Sequence, residues 1–378
     1  MNPLEHLQNA SRRHFLCDIG AGFGSLALTS MLQKDGFATD ISPLAPKLPT
    51  LPIGAKACIF LFMFGGPSQV DLFDYKPELQ RNDGKTIDNE FRRGAKTQAT
   101  LQASRRSFAQ YGQSGLWCSD ALPNLSQHMD KLAVIKSLYS DSFAHGSAML
   151  QVNCGRILQG HPSLGSWVTY GLGTINQNLP GFVVMLDPRG GPTSGAPNWA
   201  SGYMPAAYQG TVLRTTDPPI LNLKLPPGMS QTQQRADVDL INAFNQEHAQ
   251  ARSGYSELSA RIASYELAYN LQMEAPEALD LSGESSETIE MYAVDHPKPD
   301  WHPLAMGPST FGKQCLIARR LVERGVRFIQ IYSGGGSAGG QNTWDGHHGI
   351  EENLKLHCPE VDQPIAALLT DLEQRGLL

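Results

Sequence analysis

Residues 318–336 read ARRLVERGVRFIQIYSGGG, and this stretch decides the fold class. Apolar residues recur at helical spacing up to Glu323, Gly325 ends the helix, and a continuous apolar strand follows and runs into glycines. We expect the helix to begin near Ser309 or Thr310, each of which offers an N-cap. Helix, glycine and strand in this order form the αβ half of a βαβ unit, which favours a parallel sheet.

Three further stretches have the apolar composition of strands: residues 58–64, 131–140 and 181–188. The first ends in two glycines and a proline, which is typical of a buried parallel strand that leads into a functional loop. A short helix is predicted over residues 163–172, between the second and third strands. The pattern therefore predicts an α/β fold whose mostly parallel, doubly wound sheet is covered by helices on both faces.

Residues 190–300 interrupt this alternation. Their first part is rich in Gly, Pro and Ser, which indicates an irregular loop. A long helical stretch is predicted over residues 231–273. We interpret this region as a cap or insertion beside the sheet, where substrate selection could reside. The final residues, PIAALLTDLEQRGLL, repeat the helix and Arg-Gly pattern without a following strand, so we expect the domain to be incomplete at Leu378.

The bulk composition excludes some classes of protein. Hydrophobic residues make up 41% of the 378 residues and charged residues 17%, as in a globular protein with a sizeable core. A net charge of -6 without a compensating basic patch argues against nucleic acid as a partner. The six cysteines have no CxxC pair and no structural zinc spacing, and their disulfide connectivity cannot be derived from the sequence.

The N-terminus has the order of a twin-arginine export signal. Arg12 and Arg13 follow Ser11, precede Phe15 and Leu16, and lead into a mildly apolar, glycine-rich run. The alternatives are an uncleaved N-terminal anchor and an ordinary amphipathic helix with two surface arginines. We predict a signal segment over residues 1–38, a Pro-rich linker over 39–54 and an α/β domain over 55–378, which would be periplasmic or secreted.

Candidate functional residues follow three of the predicted strands. In open α/β sheets, ligands bind at the carboxyl ends of the strands, and carboxylates and imidazoles collected there suit a metal-dependent hydrolase. The loops after the first, second and fourth strands offer Ser68, Asp71, Asp74, Asp141, His145, Ser147, Asp345, His347 and His348.

Several of these residues also have a purely structural interpretation. Asp71 and Asp74 could cap a turn and a helix, and Ser68, which follows a proline, could do the same. His145 precedes a helix-like run, so its imidazole could bind an anion at the helix N-terminus or hydrogen-bond the backbone.

Asp345 and His347 are the strongest candidates for a metal site. A DxH pair on a glycine-rich loop at a strand end has few structural reasons to exist, whereas His348 fits an exposed neighbour. The glycines of this loop do not match GxGxxG, which argues against a dinucleotide site, and the absence of GxSxG argues against an α/β-hydrolase triad.

Taken in order, several motifs resemble one family. These are the twin-arginine leader, FMFGGPSQVDLFDYKPEL, AHGSAMLQVNCGR with HPSLGSWVTYGLG, and NTWDGHH before DQPIAALLTDLEQRGLL. Together they resemble DUF1501, a bacterial family of exported proteins of unknown function that is similar to sulfatases and alkaline phosphatases. The resemblance covers nearly the whole chain and implies a three-layer α/β/α sandwich of the alkaline-phosphatase type with a metal centre at the strand ends.

The resemblance also implies roles for individual residues. Asp345 and His347 correspond to a metal-binding Asp/His pair of the superfamily, and Ser68 and Asp71 fall in the motif GGPSxxDxFDxKP. Counting back from the GR of NCGR places His145 at the position of the sulfatase nucleophile. Two departures stand out: Gly65 and a second glycine occupy the place of a metal-binding aspartate, and the later motifs GEFGRTP and GRDHW do not occur.

The sequence leads to one expected function and two alternatives. We expect an exported hydrolase that uses a divalent metal (zinc, calcium or magnesium) to cleave a sulfate or phosphate ester, for instance on a glycan. Ser68 and His145 would be catalytic, and Asp71, Asp345 and His347 would bind the metal. The expected partners are the anionic ester and the twin-arginine export machinery. The alternatives are a degenerate envelope protein that binds a glycan or protein, and a redox protein with a nucleotide cofactor.

Overall fold

The structure is a computed structural model that describes residues 43–49, 51–52, 54–90, 96–214, 225, 227–250, 252, 256–336, 340–347 and 349–378. The chain divides into two units, Met1–Ala45 and Pro46–Leu378, and every described helix and strand belongs to the second. The predicted export signal, residues 1–38, lies outside the described residues. The described part of the predicted linker contains neither helix nor strand.

Among the described residues, eight strands form one parallel sheet and two antiparallel hairpins. The strands are β1 (Cys58–Met63), β2 (Thr86–Glu90), β3 (Lys96–Thr100), β4 (Phe108–Tyr111), β5 (Leu116–Ser119), β6 (Phe182–Met185), β7 (Thr211–Leu213) and β8 (Phe328–Ser333). The sheet has the order β1-β8-β6-β7 and all of its pairs are parallel, whereas β2 pairs with β3 and β4 with β5.

Nine α-helices lie within the described residues. They are α1 (Gln69–Leu72), α2 (Pro77–Arg81), α3 (His145–Cys154), α4 (Leu164–Leu172), α5 (Gln231–Gln250), α6 (Ser256–Leu279), α7 (Ser286–Met291), α8 (Pro308–Glu323) and α9 (Ile350–Gln374). Three short 3₁₀ helices span Leu125–Lys131, Ala196–Trp199 and Ala206–Tyr208. None of the helices in these ranges is both long enough and apolar enough to cross a membrane.

Helices pack against both faces of the central strand β8. Ile329 and Ile331 belong to the large core that contains residues of α8 and α9. Phe328 and Tyr332 point to the opposite face, into a smaller core beside α4. This alternation along a strand that is buried on both faces explains its continuous apolar sequence. The predicted α/β fold with three layers is therefore confirmed.

The register of the strands brings the candidate loops together at the carboxyl end of the sheet. Cys58 of β1 and Phe182 of β6 both pair with Phe328 of β8, so the three strands run in step. Their carboxyl ends consequently lie side by side, and the loops that follow them converge there.

The strand predicted over residues 131–140 is wrong. A 3₁₀ helix ends at Lys131 and irregular chain follows, in which Leu132 and Val134 pack on the core while Ile135, Leu138 and Tyr139 are exposed. Leu132 and Val134 are spaced two apart and both pack on the core, which imitates the periodicity of a strand. This segment does not pair with β6, however, because the sheet partners of β6 are β8 and β7. The apolar run therefore has no place in the sheet.

Other differences concern the regions between the sheet strands. The helical stretch predicted over residues 231–273 is two helices, α5 and α6, and the short strand β7 and both hairpins were not predicted. The last helix begins at Ile350 and contains Pro359 and Pro364, which the sequence pattern would place at a helix start. Its long contact with α8 lets it continue through both prolines.

Candidate metal centre

The loop after β8 turns back over the end of β1. The backbone amide of Trp344 donates a 2.8 Å hydrogen bond to the carbonyl oxygen of Phe64, and the buried Trp344 indole donates to Ser333 Oγ at 3.0 Å. Asn353 of α9 holds the loop from the other side, since its side-chain amide donates to the Thr343 carbonyl at 2.7 Å. The residue after Trp344 is Asp345, which is therefore held against the end of β1.

Gly65 makes this close approach feasible. It has a φ of +104°, and a Cβ there would lie 2.6 Å from the backbone nitrogen of Asp345. A side chain at this position is excluded both by the backbone conformation and by the crossing loop. Glycine at position 65 thus has a physical cause in this loop arrangement.

Two histidines converge on one carboxylate oxygen. His145 is the first residue of α3, and its Nε2 lies 2.8 Å from Asp345 Oδ2. His347 Nε2 lies 2.9 Å from the same oxygen. The ligand atoms of the three residues all lie within 4.8 Å of one another. The edge of the Phe64 ring supports His145 at a centroid distance of 6.3 Å. Residues from two distant segments, about 200 positions apart, therefore form one cluster.

The donor set of this cluster fits a divalent metal of the zinc type. Imidazole is a borderline ligand and carboxylate a hard one, and zinc accepts both. Three protein ligands are the number found in catalytic zinc sites, which keep one position open. His145, predicted as catalytic, thus lies among the potential metal ligands. His348 lies outside the described residues.

Asp71, predicted as a metal ligand, is not part of the three-residue cluster. It lies in α1 and is buried, and its Oδ2 accepts a 2.5 Å hydrogen bond from Ser68 Oγ. Ser68 occupies the N-cap position of α1, but its hydroxyl makes no capping bond. The pair is therefore a hydroxyl group with a carboxylate acceptor, which is an arrangement that can activate a nucleophile.

One cleft joins this pair to the cluster. Its volume is about 510 Å³, and it is lined by Ser68, Val70, Asp71, Gln102, Ala103, Arg105, Gly346, His347, Gly349, Ile350, Glu351 and Glu352. His347 belongs to both the cleft and the cluster. The predicted residues from the first and fourth strand-end loops therefore face a common space.

Two adjacent arginines near this cleft differ in their partners. Arg106 forms ion pairs with Glu351 and, at 3.8 Å, with Asp120. Arg105 is exposed, lines the cleft, and forms no ion pair with any residue in the described ranges. Its guanidinium is consequently available for an anionic group.

Asp74, another candidate from the sequence, has a structural role. Its carboxylate pairs with Lys76 at 2.7 Å and with Lys136 at 3.3 Å. The hydrogen bond from Lys76 is the main cause that lowers the pKa of Asp74, Lys136 adds to it, and burial opposes it. Lys136 comes from the irregular chain after the 3₁₀ helix, so Asp74 ties that chain to the loop after β1.

A buried ionic network beside the cluster was missed by the sequence analysis. Arg189 donates to Asp187 Oδ2 at 2.7 Å and contacts both carboxylate oxygens of Glu360, at 3.1 and 2.8 Å. Asp187 Oδ2 also accepts a 2.7 Å hydrogen bond from the amide of Gly334. Burial by itself would lower the pKa of Arg189, but the two carboxylates more than offset it and raise the pKa.

This network anchors the start of the loop that carries Asp345. His357, fully buried in α9, adds a 3.0 Å contact from Nε2 to the carbonyl oxygen of Gln341. The signal in the sequence was the motif DPR directly after the third predicted strand, at the same sheet edge as the other loops. Glu360 was not identifiable, because it reaches the network from a helix 171 positions away.

Comparisons with known proteins identify the family of the chain but give no function for it. No curated protein and no solved structure matches it. The profile of the family described as "Protein of unknown function (DUF1501)" matches residues 55–378, which is most of the chain. This protein, with its strand-end cluster of His145, Asp345 and His347, therefore belongs to the DUF1501 family.

Proposed function

We propose that this protein is an exported, metal-dependent hydrolase that acts on a sulfate or phosphate ester. The observation that carries the proposal is the convergence of His145 and His347 on Asp345 Oδ2. Two imidazoles and a carboxylate within reach of one ion are a ligand set that binds zinc, and a bound divalent ion would supply charge neutralisation and Lewis acidity toward the ester.

The protein's own residues would divide the remaining work. Asp71 lies within hydrogen-bonding distance of Ser68 Oγ, so it can accept the hydroxyl proton as Ser68 Oγ bonds to the phosphorus or sulfur of the ester. The bond to the alcohol oxygen breaks in the same step and the alcohol leaves with a proton. Water would then cleave the seryl ester, which releases phosphate or sulfate and restores the Ser68 hydroxyl. The first turn of α3 starts at His145 and has no side-chain cap at Ala144. Backbone amides at a helix start have no intrahelical acceptor and can bind an anion. Such amides and the guanidinium of Arg105 favour an anionic substrate.

The proposal also includes export of the protein and selection of its substrate. The twin-arginine pattern at Arg12 and Arg13 supports passage to the periplasm or outside the cell. The irregular segment after residue 190 and helices α5 and α6 are the parts that would select the alcohol portion of the ester, for instance a glycan.

Metal content and hydrolysis test the proposal together. Wild-type protein and the variants Asp345→Ala, His347→Ala and His296→Ala are dialysed against zinc, magnesium or calcium, and bound metal is counted. We expect close to one ion per chain in the wild type and in the His296→Ala control, whose ring pairs with Glu290 instead. Asp345→Ala should lose the ion, because the shared carboxylate is removed.

Chromogenic sulfate and phosphate monoesters then report on chemistry. Metal-dependent hydrolysis that Ser68→Ala lowers at least about a hundredfold would support the roles of Ser68 and Asp71. Equal metal content in wild type and Asp345→Ala would refute the metal site. A metal-loaded protein that hydrolyses neither ester would refute the enzyme and favour a binding protein.

A further inference from the structure

Two long stretches of the main unit contain no Asp, Glu, Lys or Arg: residues 157–186 and 190–213. Charged residues make up 17% of the chain as a whole, so this depletion is local. The two charges between these stretches, Asp187 and Arg189, are buried in the network beside the cluster. The surface formed by these stretches is therefore uncharged.

Part of this surface is an exposed aromatic face, formed by Leu164, Trp167 and Tyr170 of α4 together with Tyr203. The three residues of α4 are spaced three apart on one side of the helix and are 46%, 46% and 45% exposed. Tyr203 is 66% exposed and packs edge-on to Trp167 at 6.4 Å. Contiguous apolar side chains on a folded surface mark an interaction site.

The chain enters the main unit at this same face. The backbone amide of Lys47 donates to the Leu172 carbonyl at 3.0 Å, and its ammonium donates to the Tyr170 carbonyl at 2.7 Å. The ammonium also lies 5.0 Å from the centre of the Tyr170 ring. The residues that follow include Leu48 and Leu51, which are 93% and 74% exposed. The chain that follows Lys47 therefore exposes further apolar side chains.

We propose that the aromatic face rests on a lipid bilayer, with the rings of Trp167, Tyr170 and Tyr203 at the level of the headgroups. Trp and Tyr favour this zone because they combine an apolar ring with a polar tip. A typical protein–protein interface has a polar rim with charged residues, and the two stretches lack such residues. No acidic side chain in them opposes an anionic lipid surface.

The N-terminal sequence offers a second apolar segment in the same chain, because residues 15–32 form a mildly apolar run. Two weak membrane attachments hold a protein more stably than one, so such a run would strengthen attachment by the aromatic face. The proposal does not depend on the metal or on hydrolysis.

Quenching of tryptophan fluorescence by brominated lipid tests the proposal on the full chain. Vesicles of phosphatidylcholine and phosphatidylglycerol are prepared with and without bromine on the acyl chains, and emission is compared after binding. We expect quenching in the wild type and its loss in Trp167→Phe. Trp301→Phe is the matched control, because Trp301 is 47% exposed but lies under the Lys355 ammonium, outside the aromatic face.

The design separates this face from attachment by the N-terminal run alone. Vesicle binding with equal quenching in the wild type and Trp167→Phe would overturn the proposal, since the run would then hold the protein while the face stays in water. Absence of vesicle binding would also overturn it. So would concentration-dependent dimerisation that Trp167→Phe abolishes, because the face would then bind a second copy of the chain.

Discussion

The backbone amide of Trp344 donates a hydrogen bond of 2.8 Å to the carbonyl oxygen of Phe64. This one bond ties the loop after the central strand to the end of the edge strand β1, and the side chain that follows it is Asp345. The candidate metal centre therefore depends on how closely two backbones approach each other as well as on the three ligand side chains.

Gly65→Ala should damage this approach more than Gly66→Ala. Both glycines have positive φ, +104° and +81°, but only at Gly65 would a Cβ meet other atoms, with Asp345 N at 2.6 Å. We expect Gly66→Ala to cost about 1–2 kcal/mol in the free energy of unfolding, from backbone strain alone. Gly65→Ala should lower the free energy of unfolding clearly more, which urea denaturation measures. It should also weaken zinc binding at least about tenfold, which metal titration measures. Equal losses for both variants would contradict the crossing of the two loops.

Arg105→Gln should weaken the binding of anions without affecting the metal. A charge-assisted hydrogen bond contributes about 1.5–3 kcal/mol, so we expect the affinity for inorganic sulfate or phosphate to fall roughly tenfold to a hundredfold. Arg81→Gln is the control, because Arg81 is exposed and pairs with Glu78 on α2. Calorimetric titration of the zinc-loaded protein measures the anion affinity. This prediction rests on the proposed function, and loss of zinc in Arg105→Gln would show that the residue acts on the metal site instead.

Arg189→Met should destabilise the fold strongly. The substitution leaves the buried carboxylates of Asp187 and Glu360 facing each other without a cation, which costs about 3–5 kcal/mol in the free energy of unfolding. Adding Glu360→Gln should recover part of the loss, because one uncompensated charge is removed. Arg81→Met, at an exposed ion pair with Glu78, should cost less than about 1 kcal/mol. A loss below that level in Arg189→Met would contradict the role of the network.

Glu284 should make stability depend on acidic pH. Burial alone would raise the pKa of Glu284, but hydrogen bonds from Arg319 and Arg320 hold it below its ordinary value of 4.5. Since the unfolded chain then binds protons more readily than the folded one, the stabilisation is present above pH 4.5 and is lost as pH falls below it. Urea denaturation between neutral and acidic pH should give a flatter pH dependence for Glu284→Gln than for wild type. An unaltered slope in Glu284→Gln would refute this prediction.

The sequence allowed β6 and β8 to be predicted because they are buried on both faces, and the edge strand β1, which is mostly half-buried, has the same apolar composition. β1, β6 and β8 each appear as short apolar runs that end in Gly, Pro or Asp, and the structure has strands within all three. The same criterion wrongly predicted a strand over residues 131–140, where apolar side chains such as Leu138 and Tyr139 are exposed. Apolar composition alone cannot distinguish a strand with partners from irregular chain without them. The hairpins were missed because polar strands such as β2, in which residues 86–88 are exposed, lack that composition.

The residues of the candidate site were recognisable one by one, but their grouping was not. Asp345 and His347 were expected to bind metal because a DxH pair on a glycine-rich loop has little structural purpose. His145 was placed at a helix start and assigned to catalysis, whereas its Nε2 faces Asp345. Asp71 was expected beside them and instead accepts a hydrogen bond from Ser68. Local sequence reports the chemistry of a side chain, while its distance from distant segments depends on packing.

By itself, then, the sequence determined the parallel α/β architecture and the strand-end loops that carry polar residues, since burial on two faces and glycine-rich turns leave a local record. Only the tertiary structure decided which of those residues meet. The register of β1 with β8, the close backbone crossing at Gly65 and the Arg189 network set these positions. Each of them joins segments more than one hundred residues apart, and no local pattern encodes such a distance.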